Sequence, residues 1–184
     1  MKSSAFITSV IVLIYQACYS QDFDRTRLDI YFSALEQNNK YMGSVAVSRN
    51  GNIIYTKSVG FSDFENNFKA NSDSKYRVGS ISKTFTAVLV LKAIEEQRID
   101  LIQTIDKYFP SIKNSDRITV ANLLYHRSGI HNFTDDDNYL TYNTTAKTQA
   151  EMLEIIAKAG SDFEPDSKSE YSNSNYVLLT YILE

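Results

Sequence analysis

The sequence predicts a mixed α/β (α+β) fold, an antiparallel sheet flanked by helices with a helical subdomain framing a cleft. Two strand-like runs flank Asn50-Gly51 near the N-terminus, a series of apolar-periodic helices follows from Ser80 onward, and no later run offers the hairpin a third strand. An isolated two-stranded hairpin is marginal in water and leaves unpaired backbone edges. The sheet is therefore expected to be completed by C-terminal strands that are absent from this chain.

The first twenty residues, MKSSAFITSVIVLIYQACYS, carry one early cation at Lys2, an apolar run from Ala5 to Tyr15 and small residues around Ala17 to Ser20. That order is the order of an export signal, and the apolar run is too short to span a bilayer. Residues 1–20 are expected to be a signal peptide cleaved after Ser20, which makes the protein secreted or periplasmic with no stable membrane span. Lipid anchoring through Cys18 ranks second, because Tyr15 stands where a lipoprotein signal usually has leucine. Cys18 is the single cysteine, so no intrachain disulfide can form and a packed core must hold the chain. The net charge of −3 becomes one unit more negative when Lys2 is lost, and no basic cluster occurs, so nucleic acid is not expected as a partner.

Residues 21–184 read as one unit. From Asp22 to about Asn39, Leu28, Tyr31, Phe32 and Leu35 recur at helical spacing and predict an amphipathic helix laid against an apolar surface. Gly43–Ser48 and Asn52–Val59 then form a hairpin, with Asn50-Gly51 supplying the positive φ angles of a type I′ turn. The polar, Asn-rich stretch from Ser62 to Lys75 is expected to be a surface excursion and not a new element. Ser80–Gln97 predicts a long helix with an apolar face from Phe85 through Val88, Leu89, Leu91 and Ile94. Val120–His126 is a shorter helix capped by Thr119, Thr148–Lys158 another ended by Gly160, and Asn175–Glu184 begins an apolar helix.

The chemistry centres on Ser80-Ile81-Ser82-Lys83, placed where an irregular segment turns into the long helix. Three residues on a helix bring Lys83 back over Ser80 on one face, and the positive end of the helix dipole favours negative charge on a serine oxygen there. The ammonium assists deprotonation or, when neutral, accepts the proton. Taken alone the pair reads equally as an N-cap serine with an exposed first-turn lysine. Ser72-Asp73-Ser74-Lys75 has the same spacing but no apolar helix after it, and is expected to be solvated loop. Tyr171-Ser172-Asn173 shifts the balance, as the one Y-x-N among 13 tyrosines, set in a polar turn before the last helix. A phenol beside an ammonium has a lowered pKa and suits a general base or proton relay, and Asn173 offers an amide to orient Lys83 or a substrate.

The segments GSISKTFTAVLVLKAIEEQRIDL (from Gly79), DKYFPSI (from Asp106), ITVANLLYHRSGI (from Ile118) and FEPDSKSEYSNSNYVLLTYILE (from Phe163) resemble the serine β-lactamase and penicillin-binding-protein family, in its class C, D-Ala-D-Ala carboxypeptidase and esterase branch. The resemblance runs from about Tyr41 to Glu184. It implies a β-lactamase/transpeptidase-like fold and acyl-enzyme chemistry on an amide, β-lactam or ester, with Ser80 the acylated nucleophile, Lys83 its activator, and Tyr171 and Asn173 the Y-x-N pair. It implies no metal or organic cofactor, and a small molecule or peptidoglycan stem peptide as substrate. His126, in the Leu123–Ile130 segment, is assigned to a structural helix and cap, and His131 to a loop.

Three departures stand out. Asp166 follows Pro165 where relatives usually have glycine, and Thr180 replaces a common helix glycine. The third family motif, a lysine or histidine two residues before a glycine on a strand facing the serine, is missing. Lys158-Ala159-Gly160 fits its letters but sits at a helix end, where a cation and a glycine are expected anyway. The missing strand would also supply one oxyanion-hole amide, and losing such a donor costs about a hundred- to thousand-fold in rate. The chain is therefore expected to be a C-terminally truncated domain, inactive alone. The competing expectations are an esterase on the same scaffold and a non-catalytic cell-wall-binding or sensor module. Two sequons, at Asn132 and Asn143, are expected to arise by chance.

Overall fold

Asp24 caps the first helix in the computed structural model, which describes residues 23–184; the expected signal peptide and Cys18 lie outside the described residues. The described chain divides after Arg77 into two compact units. In the first, helix α1 (Arg25–Gln37) packs on a hairpin of β1 (Gly43–Arg49) and β2 (Asn52–Val59). The strands pair antiparallel from Gly43 opposite Val59 to Arg49 opposite Asn52, with a bulge after Val47. Asn50 and Gly51 both have positive φ, 52° and 78°, as a type I′ turn demands. Phe32 stacks on Tyr55 with ring centroids 6.3 Å apart, and the Tyr55 hydroxyl donates to Asp29 at 3.0 Å. Tyr31, expected on the packed face, is instead 58% exposed, because α1 presents Leu28, Phe32 and Leu35 inward and Tyr31 falls outside that stripe.

The stretch after Phe61 departs from the expected excursion. Phe61–Asp63 (β3) and Phe68–Lys69 (β4) form a second small antiparallel ladder, turned by Asn67 at φ 59° and by Asp63, which accepts from the Asn66 backbone and side chain. The two ladders are separate sheets, so among the described residues β1 and β2 gain no further strand.

The second unit is helical. A 3₁₀ turn at Gly79–Ile81 leads into α2 (Ser82–Glu95). Then follow α3 (Val120–Leu124), a 3₁₀ turn at Phe133–Asp135, α4 (Tyr139–Tyr142), α5 (Gln149–Ala159) and α6 (Asn173–Leu183). Thr119 and Thr148 each close a capping box, with Asn122 and Glu151 respectively, and Gly160 ends α5 at φ 78°. The core is built from Val90 of α2, Ile105, Phe109, Ile118, Leu123 of α3, Ile156 of α5, and Leu178 and Leu179 of α6.

The apolar face of α2 differs from expectation. Val90 is the buried residue of that helix, while Phe85, Val88, Leu89 and Leu91 are 51–67% exposed. Helix α2 is apolar on more sides than its own unit covers, so one side packs on the core and the other is left uncovered by that unit.

Two backbone strains hold the loops that frame the site. Gly129 has φ 76°, and a Cβ there would lie 2.0 Å from the Phe163 carbonyl oxygen. Asp166, where glycine is usual, takes φ 68°, a region aspartate tolerates better than most residues, and its side chain and carbonyl are both held by Arg127.

Candidate active site

Ser80 sits in the 3₁₀ turn that starts α2, and Lys83 lies one turn along, so their spacing of three residues puts the ammonium over the hydroxyl: Lys83 Nζ donates to Ser80 Oγ at 3.2 Å. Tyr171 and Asn173 arrive from the far end of the unit, at the entry to α6. The Tyr171 hydroxyl is 2.8 Å from Ser80 Oγ, and Asn173 Oδ1 accepts from Lys83 Nζ at 2.6 Å and from the Tyr171 hydroxyl at 3.3 Å. All four candidate residues thus meet in one hydrogen-bonded cluster. Ser72 and Lys75, by contrast, stay in a turn where Ser74 and Asn71 bond one another, and Lys158 ends α5.

The cluster has a definite polarity. Lys83 can only donate, so Asn173 must present its oxygen, and its Nδ2 donates to Asn132 Oδ1 at 3.2 Å and Thr134 Oγ1 at 2.9 Å. Asn132, 8% exposed, also accepts from the Asn173 backbone N–H at 2.9 Å and from the Thr134 hydroxyl at 3.1 Å. Asn132 and Thr134 were not singled out for chemistry in the sequence, where they appeared as the ends of a sequon. That sequon is occupied internally, since the Asn132 amide is buried in this network.

Burial pulls the Tyr171 phenol upward, but hydrogen bonds from Lys83 and Ser80 and the Lys83 charge outweigh it and hold the phenol below its ordinary value. Lys83 Nζ also lies 5.0 Å from the Tyr171 ring centroid and 5.8 Å from that of Tyr176. Tyr171 is 48% exposed, so the phenol is reachable from solvent.

The segment from Leu124 to Gly129 is the scaffold on which the Y-x-N turn rests. Successive carbonyls of Leu124, Tyr125, His126 and Arg127 accept from the Tyr176 hydroxyl, the Ser169 hydroxyl, and the backbone N–H groups of Glu170 and Asp166. The Ser128 hydroxyl donates to Asn175 Oδ1 at 2.6 Å and accepts from Ile130 N–H. His126 lies directly against Tyr171, with ring centroids 4.7 Å apart. His131, assigned to a loop, is held by Asp162 at 2.9 Å and Asp136 at 3.3 Å, and its carbonyl accepts from the Ser174 hydroxyl at 2.6 Å.

An open cleft of about 840 Å³ adjoins the Lys83 and Asn173 side of the cluster, lined by Thr86, Thr134, Asp135, Asp136, Asp137, Tyr176 and neighbouring residues. Among the described residues no group of three or more His, Cys, Asp or Glu side chains is arranged to hold a metal ion, and no helix is long and apolar enough to cross a membrane.

The chain is 30% identical over 165 residues to the teichoic acid D-alanine hydrolase of Staphylococcus aureus, an alignment covering 90% of this chain and 39% of the relative. Its structure is similar to that of the D-amino acid amidase of Ochrobactrum anthropi, with a TM-score of 0.71 and 25% identity over 82% of this chain and 42% of that one. A D-stereospecific amidohydrolase of Streptomyces matches with a TM-score of 0.66 and 30% identity, over 82% of this chain and 47% of its own. The chain therefore spans less than half the length of these relatives. Their fold is the mixed helix and antiparallel-sheet architecture expected from the sequence, and the profile described as Beta-lactamase matches residues 32–184: the chain belongs to the beta-lactamase family.

Proposed function

We propose that this chain carries the acylating centre of a secreted serine hydrolase that acts on an amide, lactam or ester through a covalent acyl-enzyme. One observation carries the reading: Ser80 Oγ stands at once 2.8 Å from the Tyr171 phenol oxygen and 3.2 Å from Lys83 Nζ. A serine alcohol is a weak nucleophile until a neighbouring base takes its proton. The phenol is such a base, held low by the adjacent ammonium and within hydrogen-bond reach.

As Ser80 Oγ bonds to the substrate carbonyl carbon, its proton passes to the ionised Tyr171 oxygen. The tetrahedral adduct collapses, the bond to the leaving group breaks, and Tyr171 returns the proton to that group. Water repeats the sequence on the acyl-serine, giving its proton to Tyr171, and Ser80 recovers a proton as the acid leaves. Lys83 stays a donor throughout, stabilising negative charge on Ser80 and Tyr171, while Asn173 fixes its direction.

The relatives named for teichoic acid D-alanine and D-amino acid amides favour a D-aminoacyl ester or amide as substrate, ahead of a peptidoglycan stem peptide. Three aspartates lining the adjoining cleft suit an acyl group that carries a free ammonium. Export through residues 1–20, with Cys18 lipidation as the second option, would place the enzyme where such substrates occur.

The test uses the complete gene product, a D-alanyl ester, a D-amino acid amide and nitrocefin as substrates, and mass spectrometry of the Ser80 peptide. Turnover abolished by Ser80→Ala, with an acyl adduct on Ser80, is the expected result. Turnover that survives Ser80→Ala overturns the reading. Absence of any adduct turns it toward a binding module, and an adduct that never hydrolyses toward a sensor.

A further inference from the structure

His126 has a left-handed backbone, φ 55°, which aims its ring back under the Y-x-N turn. The ring packs between two phenols, 4.7 Å from Tyr171 and 5.2 Å from Tyr176 at the centroids, each inclined by 36°. Its Nδ1 faces the Ser172 backbone N–H at 3.1 Å and the Asn175 amide nitrogen at 3.3 Å.

The donor sense of this chain is determined at every link. Ser172 N–H donates to His126 Nδ1, so that nitrogen accepts, Asn175 must turn its Nδ2 toward it, and Asn175 Oδ1 is left to accept from the Ser128 hydroxyl. A backbone N–H has no alternative but to donate. Two donors therefore converge on one imidazole nitrogen, which must carry a lone pair, and the ring is neutral with its proton on Nε2.

We propose that His126 is a positioning residue for Tyr171: its ring is the floor on which the phenol lies, and its Nδ1 lone pair holds the Ser172 backbone that joins Tyr171 to Asn173. The proposal rests on the reading of Ser80, Lys83 and Tyr171 as acyl-transfer groups. Protonation of His126 turns both donors against a third N–H, loosens Ser172 and adds a cation next to Lys83. Burial, and then the Lys83 charge, oppose that protonation and push the imidazole below its ordinary value. The other groups around the ring are the phenols of Tyr171 and Tyr176, the Glu170 backbone N–H on the His126 carbonyl, and Arg127, whose guanidinium is engaged by Asp166. No carboxylate among these bonds the imidazole to stabilise its charged form.

The experiment compares pH profiles of kcat and KM for the complete gene product, wild type against His126→Ala and His126→Asn. Alanine removes floor and acceptor. Asparagine keeps a short acceptor, tolerates positive φ and cannot titrate. His126→Ala is expected to lower kcat by about a hundredfold with KM little changed, the size that a misplacement of roughly 1 Å produces. His126→Asn is expected to recover most of that loss and to lack the additional fall that His126 protonation adds to the wild-type profile below neutrality. A His126→Asn profile superimposable on the wild type overturns the proposal, as does a folded His126→Ala protein with wild-type kcat.

A readout independent of turnover separates this inference from the functional one. In protein carrying carbon-labelled tyrosine, with the Tyr171 Cζ signal assigned through Tyr171→Phe, the wild-type Tyr171 signal is expected to inflect as His126 titrates, and not to do so in His126→Asn. If no Ser80-dependent turnover exists but this inflection does, the catalytic reading fails while the positioning stands. A Tyr171 signal blind to His126 overturns the positioning even if turnover is brisk.

Discussion

Asn173 Oδ1 lies 2.6 Å from Lys83 Nζ, and the other end of the same amide is committed to Asn132 and Thr134. The amide cannot rotate without setting donor against donor at one end and acceptor against acceptor at the other. Asn173→Ala in the complete gene product is expected to lower kcat/KM by about a hundredfold, as a released lysine head samples unproductive positions. Asn132→Ala is expected to give part of the same loss. A rate within twofold of wild type for Asn173→Ala would show that Lys83 needs no guide.

Tyr171→Phe removes the phenol oxygen and keeps the ring against His126. The rate is expected to fall by roughly 10²- to 10⁴-fold, the usual contribution of a positioned general base. Because Lys83 and Ser80 hold the phenol low, its ionised fraction grows with pH at values below the free tyrosine range of about 10. Acylation should therefore rise with pH until the phenol is ionised, and Tyr171→Phe should flatten that rise. Stopped-flow acylation across the alkaline range checks both.

Gly129→Ala is expected to be strongly destabilising, by about 1–3 kcal/mol or more, since a Cβ would press on the Phe163 carbonyl from a backbone of positive φ. The strain falls on the link between the α3 scaffold and the loop leading to Tyr171. Thermal melts of wild type and variant, each followed by near-ultraviolet circular dichroism, measure the effect, and an unchanged midpoint would refute it.

His131 titrates in the opposite sense to His126. Its hydrogen bond to Asp162, opposed by burial and helped by the charges of Asp162 and Asp136, raises its pKa in the folded state. The folded protein then keeps this proton to higher pH than the unfolded chain. The stabilisation is complete below the unfolded value of about 6.5 and is lost as pH rises through the raised folded value. Urea midpoints are expected to decline over that window in the wild type and less so in His131→Gln; parallel declines would discount the pair.

The exposed side of α2 predicts the behaviour of the isolated polypeptide. Residues 23–184 alone leave Phe85, Val88, Leu89 and Leu91 open to water and are expected to self-associate and to lack turnover. Phe85→Lys with Leu89→Glu should reduce association in light scattering. A monodisperse, active wild-type fragment would contradict both halves of this expectation.

What the sequence showed of the fold was local. Asn50-Gly51 declared its turn, Thr119 and Thr148 their caps, and Ser80 and Lys83 their shared helix face, because each depends on residues within four positions. The small ladder at Phe61–Lys69 escaped notice, since its turn is set by Asn67 in a left-handed conformation within a run of polar residues that reads as loop. Exposure of the α2 face was equally hidden, because periodicity reveals which side is apolar and not what lies against it.

For the site, the Y-x-N spacing was legible but its support was not. Asn132 meets Asn173 across 41 positions and His126 meets Ser172 across 46. Both pairings arise from tertiary packing that no short motif encodes. A usable hint was present in His126 itself, a histidine at the polar end of a short helix two residues before Ser128-Gly129, where a left-handed residue is common and a half-buried ring needs a partner.

Ser80 and the Tyr171 phenol to which it hydrogen-bonds are 91 residues apart in the chain. At translation rates of roughly 5–20 residues per second, Tyr171 is made roughly 5–18 s after Ser80. Throughout that interval the serine lacks the phenol that the proposed mechanism uses as its base. On the proposed mechanism, reactivity is withheld from the nascent polypeptide and arrives only when Asn173 and Tyr171 dock.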